Sequence, residues 1–236
     1  YVESTRVDLD QPAYRQELRS SWKNPEHRLT LPYYGFSHVE LCNHHGDETF
    51  GDWSRWVEQQ LPGFEQLCGP KNAEPDARFD APQAWHTRLP EHLYSTAYVA
   101  ERSVDYLRRH AASGSDQPFF LKCSFPDPHH PFTPPGKIYG DVDKLTDRIL
   151  AALRESGLAD NTVIVFTSDH GDYMGDHGLM LKGPVHYQGL VRIPFIWSDP
   201  AAPRQAATSE ALSSSIDIAR TVLSRAGIAP VNGMQG

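Results

Sequence analysis

The spacing of apolar residues predicts helices in four parts of the chain. Apolar residues at positions 93, 97, 100, 104 and 107 recur at steps of three and four, which predicts an amphipathic helix over residues 91–110. The same spacing predicts helices over residues 142–156 and 216–226, each followed at once by a glycine that favours a helix end. Residues 11–22 are a shorter helical candidate.

Alternating apolar and polar residues predict an edge strand over residues 36–41, and short apolar runs without helical spacing predict strands over residues 118–125, 162–167 and 193–197. The run over 162–167 is apolar and β-branched, which is typical of a strand buried on both faces of a parallel sheet. The helix predicted over residues 142–156 directly precedes this run, which is typical of a helix that leads into a strand of a parallel sheet. Residues 62–90 are rich in proline and glycine and predict a long irregular segment. Together the elements indicate an α/β fold with a mainly parallel sheet flanked by helices.

Length and composition narrow the class of protein. A chain of 236 residues with 39% hydrophobic content can bury one large core, so we expect a single partial domain over residues 1–236. A net charge of -8 without a run of Lys or Arg argues against a nucleic-acid partner. No apolar stretch reaches the roughly 18 residues needed for a membrane span. The chain begins without an initiator Met or a signal pattern, so we expect it to be part of a larger protein, and its compartment is not predicted.

Three cysteines allow at most one internal disulfide, and their positions do not have metal-ligand spacing. The residues are Cys42, Cys68 and Cys123. A cysteine metal site is therefore not predicted.

The most informative polar residues, Asp169 and His170, follow the run over residues 162–167. An open α/β sheet places its ligand crevice at the carboxyl ends of its strands. Aspartate supplies a hard oxygen and histidine a borderline nitrogen, and the glycine-rich turn behind them suits a divalent cation. The alternative is that Asp169 caps the following turn and His170 stacks beside it.

A second predicted strand, 118–125, also ends in a histidine-bearing loop. His129 and His130 lie in that loop, and Lys182 lies beyond the glycine-rich turn, from where it can bend back towards Asp169. A metal, an imidazole and an ammonium around one crevice suit the transfer of an anionic group. The alternatives are a histidine packed between prolines and a solvated lysine.

A further group of His38, His44, His45 and Asp47 precedes the irregular segment. No two of these residues lie four positions apart on a recognisable helix, so we interpret them as surface loop residues rather than metal ligands.

Several segments, taken in order and spacing, resemble the sulfatase family of the alkaline-phosphatase-like superfamily. They cover nearly the whole chain: PYYGF (32–36), SFPDPHHPFTPP (124–135), TSDHGDYMGDHGL (167–179) with Lys182 behind it, Tyr187 with RIPFIW (192–197), SIDIARTVLSRAGI (215–228) and GMQG (233–236). The resemblance implies an alkaline-phosphatase-like α/β fold and a metal-dependent hydrolase of sulfate esters.

The resemblance also implies roles for particular residues. Asp169 and His170 correspond to a pair of metal ligands, with calcium as the expected divalent metal. Lys182 corresponds to a lysine that contacts the sulfate oxygens. His129, in a His-x-Pro pattern, corresponds to a histidine that holds the substrate or protonates its leaving oxygen. His130 falls one residue off that pattern.

Other parts of the family pattern are absent from these residues. The family's nucleophile is a formylglycine made in a Cys/Ser-x-Pro-x-Arg motif, and neither this motif, the Lys-x-His motif nor the first metal-binding aspartates are present. Ser124 begins a partial match, but Pro128 stands where arginine is required, and Cys123 is one residue out of frame. The formylglycine is therefore expected outside these residues, and the fragment is expected to be inactive alone. A segment around 136–141 also looks shorter than in the family, and Gln188 stands where many relatives have glutamate.

We expect a hydrolase acting on a small-molecule or carbohydrate sulfate ester. One alternative is a phosphonate monoester or phosphodiester hydrolase of the same superfamily, for which Mn²⁺ is the expected metal. Another is a non-catalytic binding or scaffold fragment. The natural substrate is not predicted, because variable loops select it.

Overall fold

The computed structural model describes residues 12–77, 80–136, 141–202 and 208–236. The chain separates into two compact units, residues 1–158 and 159–236. The single domain expected from chain length stays a prediction, because two compact units can be parts of one catalytic domain. Within the described residues, no helix is both long and apolar enough to cross a membrane.

The described part of the first unit is mainly helical. Its α-helices are α1 (Pro12–Arg15), α2 (Arg19–Trp22), α3 (Asp52–Gln60), α4 (Ser95–Ala112) and α5 (Asp141–Glu155), and its strands are β1 (Cys42–Asn43) and β2 (Phe50–Gly51). Single turns of 3₁₀ helix lie at Gly46–Glu48, Phe64–Leu67 and Glu91–Leu93.

The core of this unit forms around α3. Trp53 and Val57 of α3 are fully buried and pack with Phe64 and Tyr98. The indole of Trp53 donates a hydrogen bond of 2.9 Å to the carbonyl of Leu93, so this buried N–H is satisfied. The sequence prediction missed α3, although its apolar residues Trp53, Trp56 and Val57 have helical spacing.

The two long helices confirm their predictions within a few residues. α4 begins at Ser95 rather than 91, because residues 91–93 form a separate 3₁₀ turn. α4 packs against α5, whose buried residues Leu145, Ala152 and Leu153 form one face. This is the amphipathic arrangement that the apolar spacing predicts. The helix predicted over 11–22 is divided into α1 and α2, and residue 11 lies outside the described residues.

Two strand predictions in the first unit are wrong. Residues 36–41 form no strand, and the antiparallel pair β1–β2 follows them instead, with Cys42 opposite Gly51. Residues 118–125 have no assigned secondary structure, and within the described residues no strand pairs with them. An apolar pattern indicates an extended segment, but a strand also requires a hydrogen-bonding neighbour. The described residues of the segment over 62–90 are irregular as predicted, apart from their 3₁₀ turn.

In the second unit, the described elements include a two-stranded sheet and two α-helices. They are β3 (Ile164–Thr167), α6 (Gln188–Val191), β4 (Phe195–Ser198) and α7 (Ile216–Arg225), with 3₁₀ turns at Ala159–Asn161 and Asp176–Gly178. α7 confirms the helix predicted over residues 216–226. The shortened segment predicted around 136–141 falls largely on residues 137–140, which lie outside the described residues.

The sequence predicted that the strand over 162–167 lies inside a parallel sheet, but its neighbour in the structure is antiparallel. β3 pairs antiparallel with β4, from Ile164 opposite Ser198 to Thr167 opposite Phe195. The strand is also not buried on both faces, because Phe166 has 39% of its surface exposed. An apolar run predicts that a strand forms, but it specifies neither the partner strand nor its direction.

Candidate functional site

The Asp169–His170 turn directly follows β3, where the sequence predicted it. The backbone N–H of His170 donates to Oδ1 of Asp169 at 2.9 Å, and Ser168 Oγ donates to the carbonyl of His170 at 2.9 Å. Asp169 thus caps the turn, as the simpler interpretation of the sequence proposed. The carboxylate has a second oxygen, Oδ2, and its side chain is 84% exposed.

Two glycines bring this turn close to α6. A Cβ atom on Gly171 would lie 2.0 Å from the carbonyl oxygen of Gly189, and one on Gly189 would lie 2.8 Å from Oδ2 of Asp176. The N–H of Gly171 donates to the carbonyl of Leu190 at 2.8 Å. Only glycine fits at this backbone contact, so these residues fix the position of the Asp169–His170 turn.

His170 and Lys182 meet side chain to side chain. Nδ1 of His170 lies 2.8 Å from the carbonyl of Gly171, and a carbonyl can only accept, so Nδ1 carries the hydrogen. Nζ of Lys182 lies 3.0 Å from Nε2 of the same ring, and Oδ2 of Asp169 lies 3.6 Å from it. An ammonium can only donate, so Nε2 presents its lone pair. The structure therefore brings together three of the four residues that the sequence singled out.

The surroundings of Asp169 favour its charged form. Partial burial acts to raise the pKa of Asp169, but the hydrogen bond from the N–H of His170 and the nearby His170 ring outweigh it and hold the pKa below its usual value. Asp169 is therefore a carboxylate at neutral pH.

These atoms fit one part of a divalent cation site. Carboxylate oxygens and imidazole nitrogens bind cations at about 2.0–2.6 Å, so Oδ2 of Asp169 and Nε2 of His170, 3.6 Å apart, can reach the same ion. Among the residues that the structure describes, no three His, Cys, Asp or Glu side chains form a metal-holding group. Asp169 and His170 would supply two ligands at most, whereas calcium prefers about six to eight oxygens.

His129 lies in the first unit and has well-defined partners there. Its Nδ1 lies 2.5 Å from the carbonyl of His130, and its ring stacks on that of His45 with centroids 3.6 Å apart and planes at 16°. Asp127 in the same loop accepts hydrogen bonds from Tyr94 and Thr96. The predicted convergence of His129 with Asp169 stays a prediction.

Sequence reasoning did not assign chemistry to His45. Its stacking on His129 joins two loops that are far apart in the chain, and no local spacing signals such a contact. Similarly, His177 stacks on Tyr187 with centroids 3.7 Å apart, which gives this histidine a packing partner.

The cysteines lack the properties of nucleophiles. Burial raises the pKa of Cys123, and burial together with Asp127 and Asp52 raises the pKa of Cys42 to about 12. Burial also raises the pKa of Cys68. The three thiols are unpaired and stay protonated at neutral pH, whereas the thiolate is the reactive form.

Known proteins resemble this chain in sequence. Residues 138–228 match the sulfatase family model. An arylsulfatase of Clostridium perfringens is 33% identical over 47% of this chain and 33% of its own length. An N-acetylglucosamine-6-O-sulfatase of Bacteroides thetaiotaomicron is 39% identical over 40% of this chain and 17% of its own length. The chain thus spans about a third or less of the length of these relatives.

A solved structure shares the fold. The crystal structure of a phosphonate monoester hydrolase of Agrobacterium radiobacter matches 98% of this chain and 55% of that chain, with a TM-score of 0.70 and 23% identity. The resemblance inferred from the sequence motifs is confirmed by these matches. Residues 138–228, which hold Asp169, His170 and Lys182, are similar to the sulfatase family, and the chain has a fold of the alkaline-phosphatase-like α/β class.

Proposed function

We propose that the intact protein hydrolyses sulfate esters in a metal-dependent reaction, with its nucleophile outside residues 1–236. The observation that carries this proposal is the contact of Lys182 with His170 beside the carboxylate of Asp169. It gathers a cation and two metal-binding groups in the domain that matches the sulfatase model.

Lys182 binds and orients the sulfate group. Nε2 of His170 has a single lone pair, which a bound metal would occupy, so the ammonium of Lys182 would leave that contact and donate to a sulfate oxygen instead. Hydrogen bonds to oxygens that gain charge in the transition state accelerate group transfer, and this stabilisation is stronger where water is excluded.

Asp169 and His170 would hold the divalent metal, for which calcium is the proposed ion. Asp169 offers an ionised oxygen because its pKa lies below the usual value, and His170 offers Nε2 because its Nδ1 is bonded to the carbonyl of Gly171. When bound, the ion supplies positive charge next to the sulfate oxygens. The remaining ligands and the formylglycine are proposed to lie outside these residues.

His129 is proposed to hold the substrate or to protonate the leaving oxygen. Its Nδ1 donates to the carbonyl of His130, so Nε2 is the atom that would give up the proton, and it carries that proton only when the ring is an imidazolium. The proton passes from Nε2 to the leaving oxygen as the sulfur–oxygen bond breaks. The substrate class is a small-molecule or carbohydrate sulfate ester, in keeping with the names of the two sulfatase relatives.

A phosphonate monoester or phosphodiester hydrolase is the second candidate, with Mn²⁺ as its metal. The structural match to a phosphonate monoester hydrolase favours it. Sulfate and phosphonate esters both present anionic oxygens, so Lys182 and the two metal-binding residues suit either. A non-catalytic binding or scaffold role is the third candidate.

The test is to assay the intact protein on an aryl sulfate and on an aryl phosphonate ester, with calcium and with manganese. We expect chelator-sensitive release of the phenol from the sulfate, and faster release with calcium. Faster turnover of the phosphonate with manganese would favour the second candidate, and no turnover of either ester would favour the third.

A further inference from the structure

Three histidine rings form a continuous stack in the first unit. The ring of His129 lies 3.6 Å from that of His45 and 4.2 Å from that of His130, with interplanar angles of 16° and 28°. His44 precedes His45 but is exposed, and its ring centroid is 5.7 Å from that of His45. His45 is therefore the residue from the distant loop that contacts the face of His129.

The two loops approach each other too closely for a side chain at position 46. Gly46 has a φ of +60°, and a Cβ atom there would lie 2.6 Å from Oγ1 of Thr133 and 3.1 Å from the carbonyl oxygen of Pro131. Thr133 Oγ1 also accepts a hydrogen bond of 2.9 Å from the N–H of Asp47. The residues that follow His45 are thus fixed to the residues that follow His129.

Buried polar contacts hold this junction rigid. Asp47 is 1% exposed, and its Oδ2 accepts hydrogen bonds from the backbone of Gly69 and the indole of Trp85. Tyr94 shares a hydrogen bond of 2.8 Å with Thr133 and donates to Asp127. Oδ1 of Asp47 is buried without a hydrogen-bond partner, but the bonds to its Oδ2 and those of Tyr94 and Thr133 join the two loops, so the stacked rings rest on a well-held support.

We propose that His45 is a positioning residue that holds the ring of His129 by stacking, so that Nε2 of His129 points towards the leaving oxygen of the ester. The rings of His45 and His130 set the plane of the His129 ring, and the bond from Nδ1 to the carbonyl of His130 sets its rotation. The leaving-oxygen part of this inference rests on the proposed function, whereas the stacking part does not.

The stacking part is tested by NMR of the intact protein labelled with ¹³C-histidine. An aromatic ring shifts the resonances of a proton that lies over its face, so His45→Ala should move the ring resonances of His129. His45→Phe keeps a flat ring and should restore most of the original shift. His44→Asn removes the neighbouring imidazole at a position where asparagine tolerates the positive φ, and it should leave His129 unchanged. A His129 spectrum that is the same in wild type and His45→Ala would overturn the proposal.

The functional part is tested by a double-mutant cycle with esters of good and poor leaving groups. Misplacing a proton donor matters most for a poor leaving group, so His45→Ala should lower kcat by roughly 10-fold for an alkyl sulfate and by much less for 4-nitrophenyl sulfate. The KM should change little, and His45→Phe should restore kcat. In a His129→Ala background the same substitution should have no further effect. Equal losses for both leaving groups, or additive losses in the cycle, would overturn the role.

A second pair of variants perturbs the junction while keeping every histidine. Gly46→Ala forces the loops apart and should reproduce the kinetics of His45→Ala. Gly114→Ala is the matched control, because its φ is +62° and no atom lies within 4 Å of its Cβ position. The two variants are compared by how much more kcat falls for the alkyl sulfate than for 4-nitrophenyl sulfate. If this difference is the same in Gly46→Ala and Gly114→Ala, the proposal is contradicted. If the intact protein hydrolyses no ester, the proposed function fails, while the NMR result still decides the stacking.

Discussion

Nζ of Lys182 lies 3.0 Å from Nε2 of His170. This nitrogen is an acceptor, because Nδ1 of the same ring carries the hydrogen and donates it to the carbonyl of Gly171. The two residues are separated by the glycine-rich turn, and the backbone contact between Gly171 and Gly189 fixes the position of His170. The Lys182 ammonium and the Asp169 carboxylate thus both lie near Nε2 of His170, and the proposed function assigns the ammonium to the anionic ester.

Substitution of Lys182 tests the binding of the sulfate group. Lys182→Ala in the intact protein should lower kcat/KM for an aryl sulfate by roughly 10²-fold or more, the usual scale for the loss of one contact to a developing oxyanion. Metal content, measured by mass spectrometry, should stay the same. Lys71→Ala removes an exposed lysine of the other unit and serves as the control. Wild-type kinetics in Lys182→Ala would exclude this lysine from the site.

Substitution of Asp169 tests the metal site. Asp169→Ala should abolish metal-dependent turnover and lower the metal content, because it removes one of the two proposed ligands. Its side chain is 84% exposed and loses one hydrogen bond, from the N–H of His170, so the metal-free protein should lose only about 1 kcal/mol of stability. Glu210→Ala, an exposed acidic residue of the same unit, is the control. Full metal content in Asp169→Ala would contradict the ligand assignment.

Because of the ion pair between Asp199 and Arg225, we expect the stability of the second unit to depend on pH. Arg225 donates to both oxygens of Asp199 at 2.5 and 3.0 Å, which lowers the pKa of Asp199 to about 2. A lowered pKa in the folded state contributes stability that is present above the unfolded value of 3.8 and is lost as the pH falls towards 2. Urea unfolding should therefore show that wild type is more stable than Asp199→Asn at pH 6, with a smaller difference at pH 3. A difference independent of pH would show that the pair does not contribute in this way.

Truncation of Trp53 tests the core around α3. Trp53 is fully buried and its indole donates to Leu93, so Trp53→Ala should lower the free energy of unfolding by about 3–5 kcal/mol. Trp56→Ala, on the same helix but only partly buried, should cost clearly less. Chemical denaturation of the two variants measures this difference, and equal losses would contradict the assignment of Trp53 to the core.

Periodicity predicted the helices well because the spacing of apolar residues along one helix face is a local property of the sequence. Residues 142–156 and 216–226 became α5 and α7 within one residue at each end. The short helix α3 was missed because it begins in a segment whose His, Gly and Asp content predicts a loop. Strands were predicted less well, since the partner of β3 is β4, and the choice of partner depends on the whole fold rather than on residues 162–167.

Only the part of the candidate site that depends on nearby residues in the sequence was predicted. Asp169, His170 and Lys182 lie close together in the sequence, and a glycine-rich turn between them signals that the chain folds back. The stacking of His45 on His129 depends on the close approach of two loops at Gly46 and Thr133, which no short-range pattern in the sequence indicates.

A competition experiment tests the central claim most directly. The intact protein, supplied with calcium, is given an aryl sulfate and an aryl phosphonate ester at equal concentrations, and the two phenols released are measured together. Their ratio equals the ratio of kcat/KM for the two esters. We predict that the phenol from the sulfate predominates and that Lys182→Ala lowers its release. Predominant release from the phosphonate, or sulfate hydrolysis that persists in Lys182→Ala at the wild-type rate, would contradict the account.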